Sequence, residues 1–220
     1  MIADQPQAGY PAVILVILLR AELGDHIEAR VELDRLWFNA DQALADPLTT
    51  KYLPSVSVHV AVAKSVQLDV PLSHDALGLF YAELLQAEGY YLNVIAVVEG
   101  LAPTSVTAIS LADLYRTAAQ WQDVIDLTEN IANTDDATAV LCMLRAHVFR
   151  NLGFLDAAGE LLSAVTRTRS GSANIRYHAM VEKARIFVLQ GKPFAARAQY
   201  EKMRAADSDF PGLREAIEAL

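Results

Sequence analysis

The feature that most constrains this chain is an internal repeat. Laying residues 91–104 (YLNVIAVVEGLAPT) over 121–134 (WQDVIDLTENIANT) aligns an aromatic with an aromatic. It then matches Val94 with Val124, Ile95 with Ile125, Glu99 with Glu129, Ala102 with Ala132 and Thr104 with Thr134. The skeleton continues in both directions. Ala82, Ala112, Ala146 and Ala184 are each followed three places on by Leu85, Tyr115, Phe149 or Phe187, and seven places on by Gly89, Ala119, Gly153 or Gly191. A second set follows: Val94, Val124, Ala158 and Ala196, then Val98, Thr128, Leu162 and Tyr200, then Leu101, Ile131, Val165 and Met203. Successive alanines are 30, 34 and 38 residues apart.

This skeleton describes a helical hairpin repeated along an axis. A small side chain lets a neighbouring helix cross closely, and a bulky one a turn later fills the space beside it. Gly suits the turn because it takes φ > 0 without a steric penalty and ends the first helix. The second helix spaces its apolar residues by four and three, on one face. One hairpin cannot bury that face alone, so the units must stack.

The period, the small residue early in the unit, the Gly at the inter-helix turn and the later Ala, aromatic and apolar positions resemble the tetratricopeptide repeat (TPR) family. The likeness is clearest in residues 191–207 (GKPFAARAQYEKMRAAD) and runs from about residue 74 to the C-terminus. The chain departs from the family pattern at the aromatic near the start of the first helix, where it has Gly78, Ala108, Cys142 and Met180, and at Ser208, where a Pro is usual. The resemblance implies an all-α fold, a right-handed α-solenoid of stacked helical hairpins with a C-terminal capping helix, serving protein–protein interaction.

The expected organisation is a degenerate N-terminal helical region over 1–70, an array of about four repeats over 71–210 and a cap over 211–220. Gly24 followed by Ala29, Leu33 and Leu36 reproduces the turn and second-helix spacing, with Arg20 where an aromatic is expected. Asp46, Pro47 and the Thr49–Thr50 pair mark a break. Residues 51–68 read two ways: Val56, Val58, Val60 and Val62 alternate like a strand, whereas Leu53, Val56, Val60 and Ala63 trace a helix face. The helix is preferred, because a lone strand would have no partner in a helical array. At the other end, residues 209–211 (DFP) open a helix with Leu213, Ile217 and Leu220 on one face, as a terminal cap requires.

Composition narrows the function. The 220 residues carry 18 Lys and Arg against 27 Asp and Glu, a net charge of −9 that repels nucleic acid and anionic membrane over most of the surface. The apolar run Ala12 to Leu19 is only eight residues, far short of the roughly 20 a membrane span needs, and no basic residue precedes it as in a signal peptide; it is expected to be a buried first helix. The single cysteine, Cys142, allows no intramolecular disulfide and fits a reducing, cytoplasmic setting. Phosphate loops, nucleophile elbows, dinucleotide fingerprints, zinc-protease motifs and CxxC pairs are all absent. No enzyme, cofactor or metal is therefore expected. His147 and His178 come from consecutive repeats but have no evident third ligand, so two surface histidines is the default reading.

In a stacked array the first helices line the concave surface. One place after each packing alanine stand Glu83, Asp113, His147 and Arg185, and four places after it Gln86, Arg116, Arg150 and Val188. The C-terminal half of the groove would gather Arg116, His147, Arg150 and Arg185, with Asn151 and His178 at its edge. Such a cationic strip could bind an acidic peptide or a chain-terminal carboxylate. Asp113 before Arg116 and Glu182 before Arg185 equally allow ordinary helix-surface ion pairs. Arg150 has no acid three or four places before it, which makes it the strip's leading candidate for a ligand. The usual Lys and Asn set of the family's carboxylate clamps is not reproduced. The expected function is a non-catalytic adaptor with a protein or peptide partner; the alternatives are a self-association module, giving a homo-oligomer, or a regulatory subunit of an enzyme encoded elsewhere.

Overall fold

A computed structural model describes residues 9–63, 66–168, 172–207 and 210–218. Thirteen helices and one two-stranded hairpin are present among them. The chain divides into two compact units, Met1–Leu114 and Tyr115–Leu220.

In the first unit, α1 (Tyr10–Glu22) and α2 (His26–Trp37) form a hairpin through Gly24, followed by the short helices α3 (Ala40–Ala45) and α4 (Pro47–Tyr52). The Asp46 carboxylate starts α4 by accepting from the Leu48 and Thr49 amides at 2.8 and 3.3 Å. Then come β1 (Ser57–Ala63), β2 (Val66–Pro71), α5 (His74–Ala87, capped by the Ser73 hydroxyl) and α6 (Tyr91–Glu99). The next helix, α7 (Ser105–Thr117), starts in this unit.

The second unit continues with α8 (Trp121–Thr128), α9 (Asp136–Asn151), α10 (Leu155–Arg167), α11 (Ala173–Leu189), α12 (Pro193–Ala206) and α13 (Leu213–Glu218). A reciprocal cap between Asp135 and Thr138 starts α9, and the hydrogen bonds it makes hold the Asp135 carboxyl below its usual range. The Ser172 hydroxyl starts α11.

The repeat skeleton is the core. Ala82, Ala112, Ala146 and Ala184 are all buried, as are Val94, Val124, Ala158 and Ala196. Even the polar member of the set, Thr128, is fully buried, its hydroxyl donating to the Val124 carbonyl at 2.6 Å one turn back. Gly78 shows why the aromatic position departs from the family pattern. A Cβ there would lie 2.4 Å from Leu101 Cδ2 and 2.9 Å from Trp37, which already fill the space an aromatic would take.

Each hairpin turns on one left-handed residue: Gly24 (φ 84°), Gly89 (85°), Ala119 (58°), Gly153 (84°) and Gly191 (68°). In every case the amide after it donates to the carbonyl five residues back, that of Arg20, Leu85, Tyr115, Phe149 or Phe187, at 2.8 to 3.0 Å. This is the wider bond of a Schellman turn. The first hairpin therefore turns as the others do, although Arg20 holds the aromatic's place; Arg20 instead reaches Glu28 at 3.3 Å.

Two expectations need correction. Residues 51–68 do not form a continuous helix: after α4 ends at Tyr52 the chain enters an antiparallel hairpin, with Val58 opposite Val70, His59 opposite Asp69 and Val60 opposite Leu68. The missing partner strand is the segment that follows immediately. Val58 and Val60 are buried where α5 packs on β1, and His59 and Asp69 pair on the opposite face at 2.9 Å. The alternation of β-branched residues was thus the true signal. The apolar run does form α1, but only one face is buried: Ile14 and Ile17 are covered, while Leu15, Val16 and Leu19 are 37%, 43% and 59% exposed.

At the C-terminal end, Phe210 and Leu213 are buried against Ala184, Ala196, Tyr200 and Met203, with Ile217 beside them. This cover closes the flank of the α11–α12 hairpin. Ser208, Asp209 and Leu220 lie outside the described residues. Among the described residues, no helix is long and apolar enough to cross a membrane.

Ala119 is the one non-glycine residue with positive φ among the described residues, a conformation that costs an L-residue about 1–2 kcal/mol. Ala119→Gly is expected to raise stability by about 0.5–1 kcal/mol, the relief being offset partly by the more flexible unfolded chain. Gly153→Ala is expected to lower it by about 1 kcal/mol. Urea unfolding of the two variants beside the wild type measures both.

Candidate functional site

The second unit brings His147, Arg150 and Arg185 into one hydrogen-bonded network. On α9, His147 and Arg150 are three residues apart, and Arg150 Nη2 donates to His147 Nδ1 at 2.9 Å. On α11, Glu182 and Arg185 have the same spacing and form an ion pair. Glu182 joins the helices: its Oε2 accepts from Arg150 Nη1 at 2.5 Å while its Oε1 accepts from Arg185. Because arginine only donates, His147 Nδ1 is the acceptor, and the neutral ring carries its proton on Nε2.

Arg150 has no acid three or four places before it on α9, yet it is paired. Its acid comes from the next repeat, 32 residues away, beyond any search confined to one helix. The Arg150 and Glu182 side chains are 18% and 25% exposed and Arg185 is 58% exposed. Arg150 is the inner member and Arg185 the solvent end. Two guanidiniums share one carboxylate, so the network keeps an excess positive charge. Asn151 is exposed at the end of α9, and Arg116 is half-buried near the end of α7. His178 lies against the cap, its ring 5.2 Å from that of Phe210 at 72°. Among the described residues no three His, Cys, Asp or Glu side chains converge as a metal site. Cys142 is buried, and burial pushes its thiol above the usual range.

Sequence reasoning missed two polar features. Arg145 closes α8, its Nη1 donating to the carbonyls of Thr128 and Glu129 at 2.7 and 2.8 Å, where a helix end favours a cation. In the first unit, Arg30 and Asp34 on α2 meet Tyr81 and Glu88 from the α5 end of the chain. Arg30 Nε donates to Glu88 at 2.6 Å, and Asp34 accepts from both Arg30 and the Tyr81 hydroxyl. Trp37 stacks on His74 at 4.8 Å and lies 5.4 Å from the Tyr81 ring. The only sequence sign was the Arg30–Asp34 spacing of four. This cluster clamps α2 to α5. Its hydrogen bond to Glu88 raises the Arg30 guanidinium further.

Burial, the hydrogen bond to Asp34 and that residue's charge push Tyr81 up to about 12. A folded-state value above the unfolded one of about 10 stabilises the fold below pH 10, and the gain is lost as pH rises from 10 to 12. Spectrophotometric titration near 295 nm should show one tyrosine ionising late that is absent in Tyr81→Phe. Stability in the variant should fall less steeply over that interval.

No family profile matches this chain, and no curated protein sequence matches it. Solved structures do. The N-terminal domain of the EccA1 ATPase from the ESX-1 secretion system of Mycobacterium tuberculosis superposes with a TM-score of 0.63 at 20% identity, over 86% of this chain and 71% of that one. A putative kinesin light chain of Podospora anserina with nearly identical TPR-like repeats superposes with a TM-score of 0.58 at 18% identity, over 93% and 99%. At such identities the likeness is one of fold, and it agrees with the hairpins, turns and buried alanines described above: this chain is an all-α, TPR-like helical repeat protein.

Proposed function

We propose that the chain is a non-catalytic interaction module, an adaptor whose first-helix surface in the second unit takes an acidic segment or a chain-terminal carboxylate of a partner protein. The observation that carries this reading is the sharing of Glu182 between Arg150 and Arg185. Each guanidinium has five N–H donors, so a second carboxylate finds charge and geometry waiting at the exposed Arg185. Arg116, His147, Asn151 and His178 extend the site as neutral or cationic donors. The surrounding excess of acid gives a local cationic strip its selectivity. The buried, inert thiol fits a cytoplasmic protein.

The test is fluorescence anisotropy with a labelled hexapeptide of Asp and Glu ending in a free carboxylate, and with its amide. Affinity should fall about tenfold in Arg116→Gln/Arg185→Gln and weaken as salt rises. Unchanged affinity in a variant with a wild-type melting curve would reject the strip.

The exposed face of α1 supports a second reading, self-association, because Leu15, Val16 and Leu19 lie together in solvent. Light scattering should then show a concentration-dependent dimer that Leu19→Glu abolishes; a strict monomer at high concentration eliminates it.

A further inference from the structure

One edge of the second unit, where its helices turn back, is more apolar than solvent exposure favours. Leu152 and Phe154 flank the Gly153 turn at 41% and 59% exposure, and Leu189 and Phe194 flank the Gly191 turn at 60% and 89%. The two turns are neighbours, since Gln190 Nε2 donates to Asp156 Oδ1 at 2.8 Å and joins the end of α11 to the start of α10. Single exposed apolar residues are ordinary, whereas four around adjoining turns form a patch.

The charge beside this patch is the reverse of the chain's. Between 173 and 207, seven Lys and Arg stand against three acids, in a protein of net charge −9. Lys192 lies in the turn itself, its Nζ 3.1 Å from Gln190 Oε1. Arg197 follows Phe194 by three residues on α12 and pairs with Glu201 at 3.0 Å. Cations crowd this hairpin: Lys183, lowered chiefly by burial, is lowered further by Lys202 and Arg167.

We propose that this edge docks an acidic, apolar-bearing peptide segment of a partner protein. The segment's apolar side chains seat on Leu152, Phe154, Leu189 and Phe194, and its carboxylates meet Lys192 and Arg197. Exposed apolar side chains beside Lys192 and Arg197, on a hairpin where cations outnumber acids, are what such a segment needs: the apolar contacts supply affinity and the charges select the partner. A bilayer or a nucleic acid fits less well, because an extended polyanion would also meet the acid excess carried by the rest of the chain. This surface uses none of the residues assigned to the carboxylate strip and does not rest on that reading.

The probe is a fluorescein-labelled 14-residue peptide alternating Glu with Leu and Trp. One control carries Lys for each Glu, a second carries Ser for each apolar residue, and phosphatidylserine-containing vesicles form a third arm. The Glu/Leu/Trp peptide should bind at least tenfold more tightly than either control. Leu189→Ser/Phe194→Ser should lose at least tenfold, Lys192→Gln/Arg197→Gln severalfold, and Arg150→Gln nothing. Phe154→Ser, at the other turn, gives an independent reading should the double variant lose its fold. Equal binding of the Lys peptide, wild-type affinity in the serine variants, loss of binding in Arg150→Gln, or a preference for vesicles over the peptide would each overturn the proposal.

Discussion

Every helical hairpin named above depends on the same small event: a helix ends when one residue takes positive φ and the next amide reaches back to a carbonyl five positions earlier. That bond fixes where the second helix starts, and so which of its residues meet the first. In the four hairpins after the first, the alanine three places before the residue whose carbonyl accepts then sits at a helix crossing, and the bulky side chain on that accepting residue fills the gap beside it. The buried second-helix positions follow from the same geometry. Turn, crossing and core are one constraint seen at three levels.

Much of this was legible in the sequence because the constraint acts locally. Gly89, Gly153 and Gly191 lie at a fixed distance from Ala82, Ala146 and Ala184, and the spacing alone places both helices. Ala119 kept the pattern readable even where the glycine was lost. What the sequence hid was non-local. The β-hairpin is not legible in Val56 to Val62 alone, because the partner strand that gives their alternation a place is the later Leu68–Val70 segment. The acid of Arg150 is invisible on its own helix because Glu182 belongs to the next repeat. The exposed half of α1 could not be seen in a run that is apolar on every side, since hydrophobicity without periodicity gives no orientation.

The polar networks divide by what they leave over. Around Asp34, two carboxylates share one guanidinium and a phenol donates to one of them, so the cluster is satisfied inwardly, between two helices. Around Glu182 the proportion is reversed, with two guanidiniums to one carboxylate, and the surplus faces solvent through Arg185. A network with surplus donors can accept a further anion without breaking a bond it already has, whereas one whose single cation is already shared between two carboxylates must first give something up. This difference, more than the number of charges, separates a structural clamp from a binding surface.

The inserted β-hairpin has a consequence for how such a chain can change. It forces α2 to find α5 across a long stretch, with Arg30 and Glu88 58 residues apart, whereas Arg150 and Glu182 are separated by 32. Loop-closure entropy grows only with the logarithm of length, so the longer closure costs about 0.5 kcal/mol more. An array of this kind can therefore accept an extra element between repeats at little extra loop-closure cost, provided the newcomer's own apolar contacts offset the ordering of its backbone. Val58 and Val60, buried where β1 meets α5, are that provision.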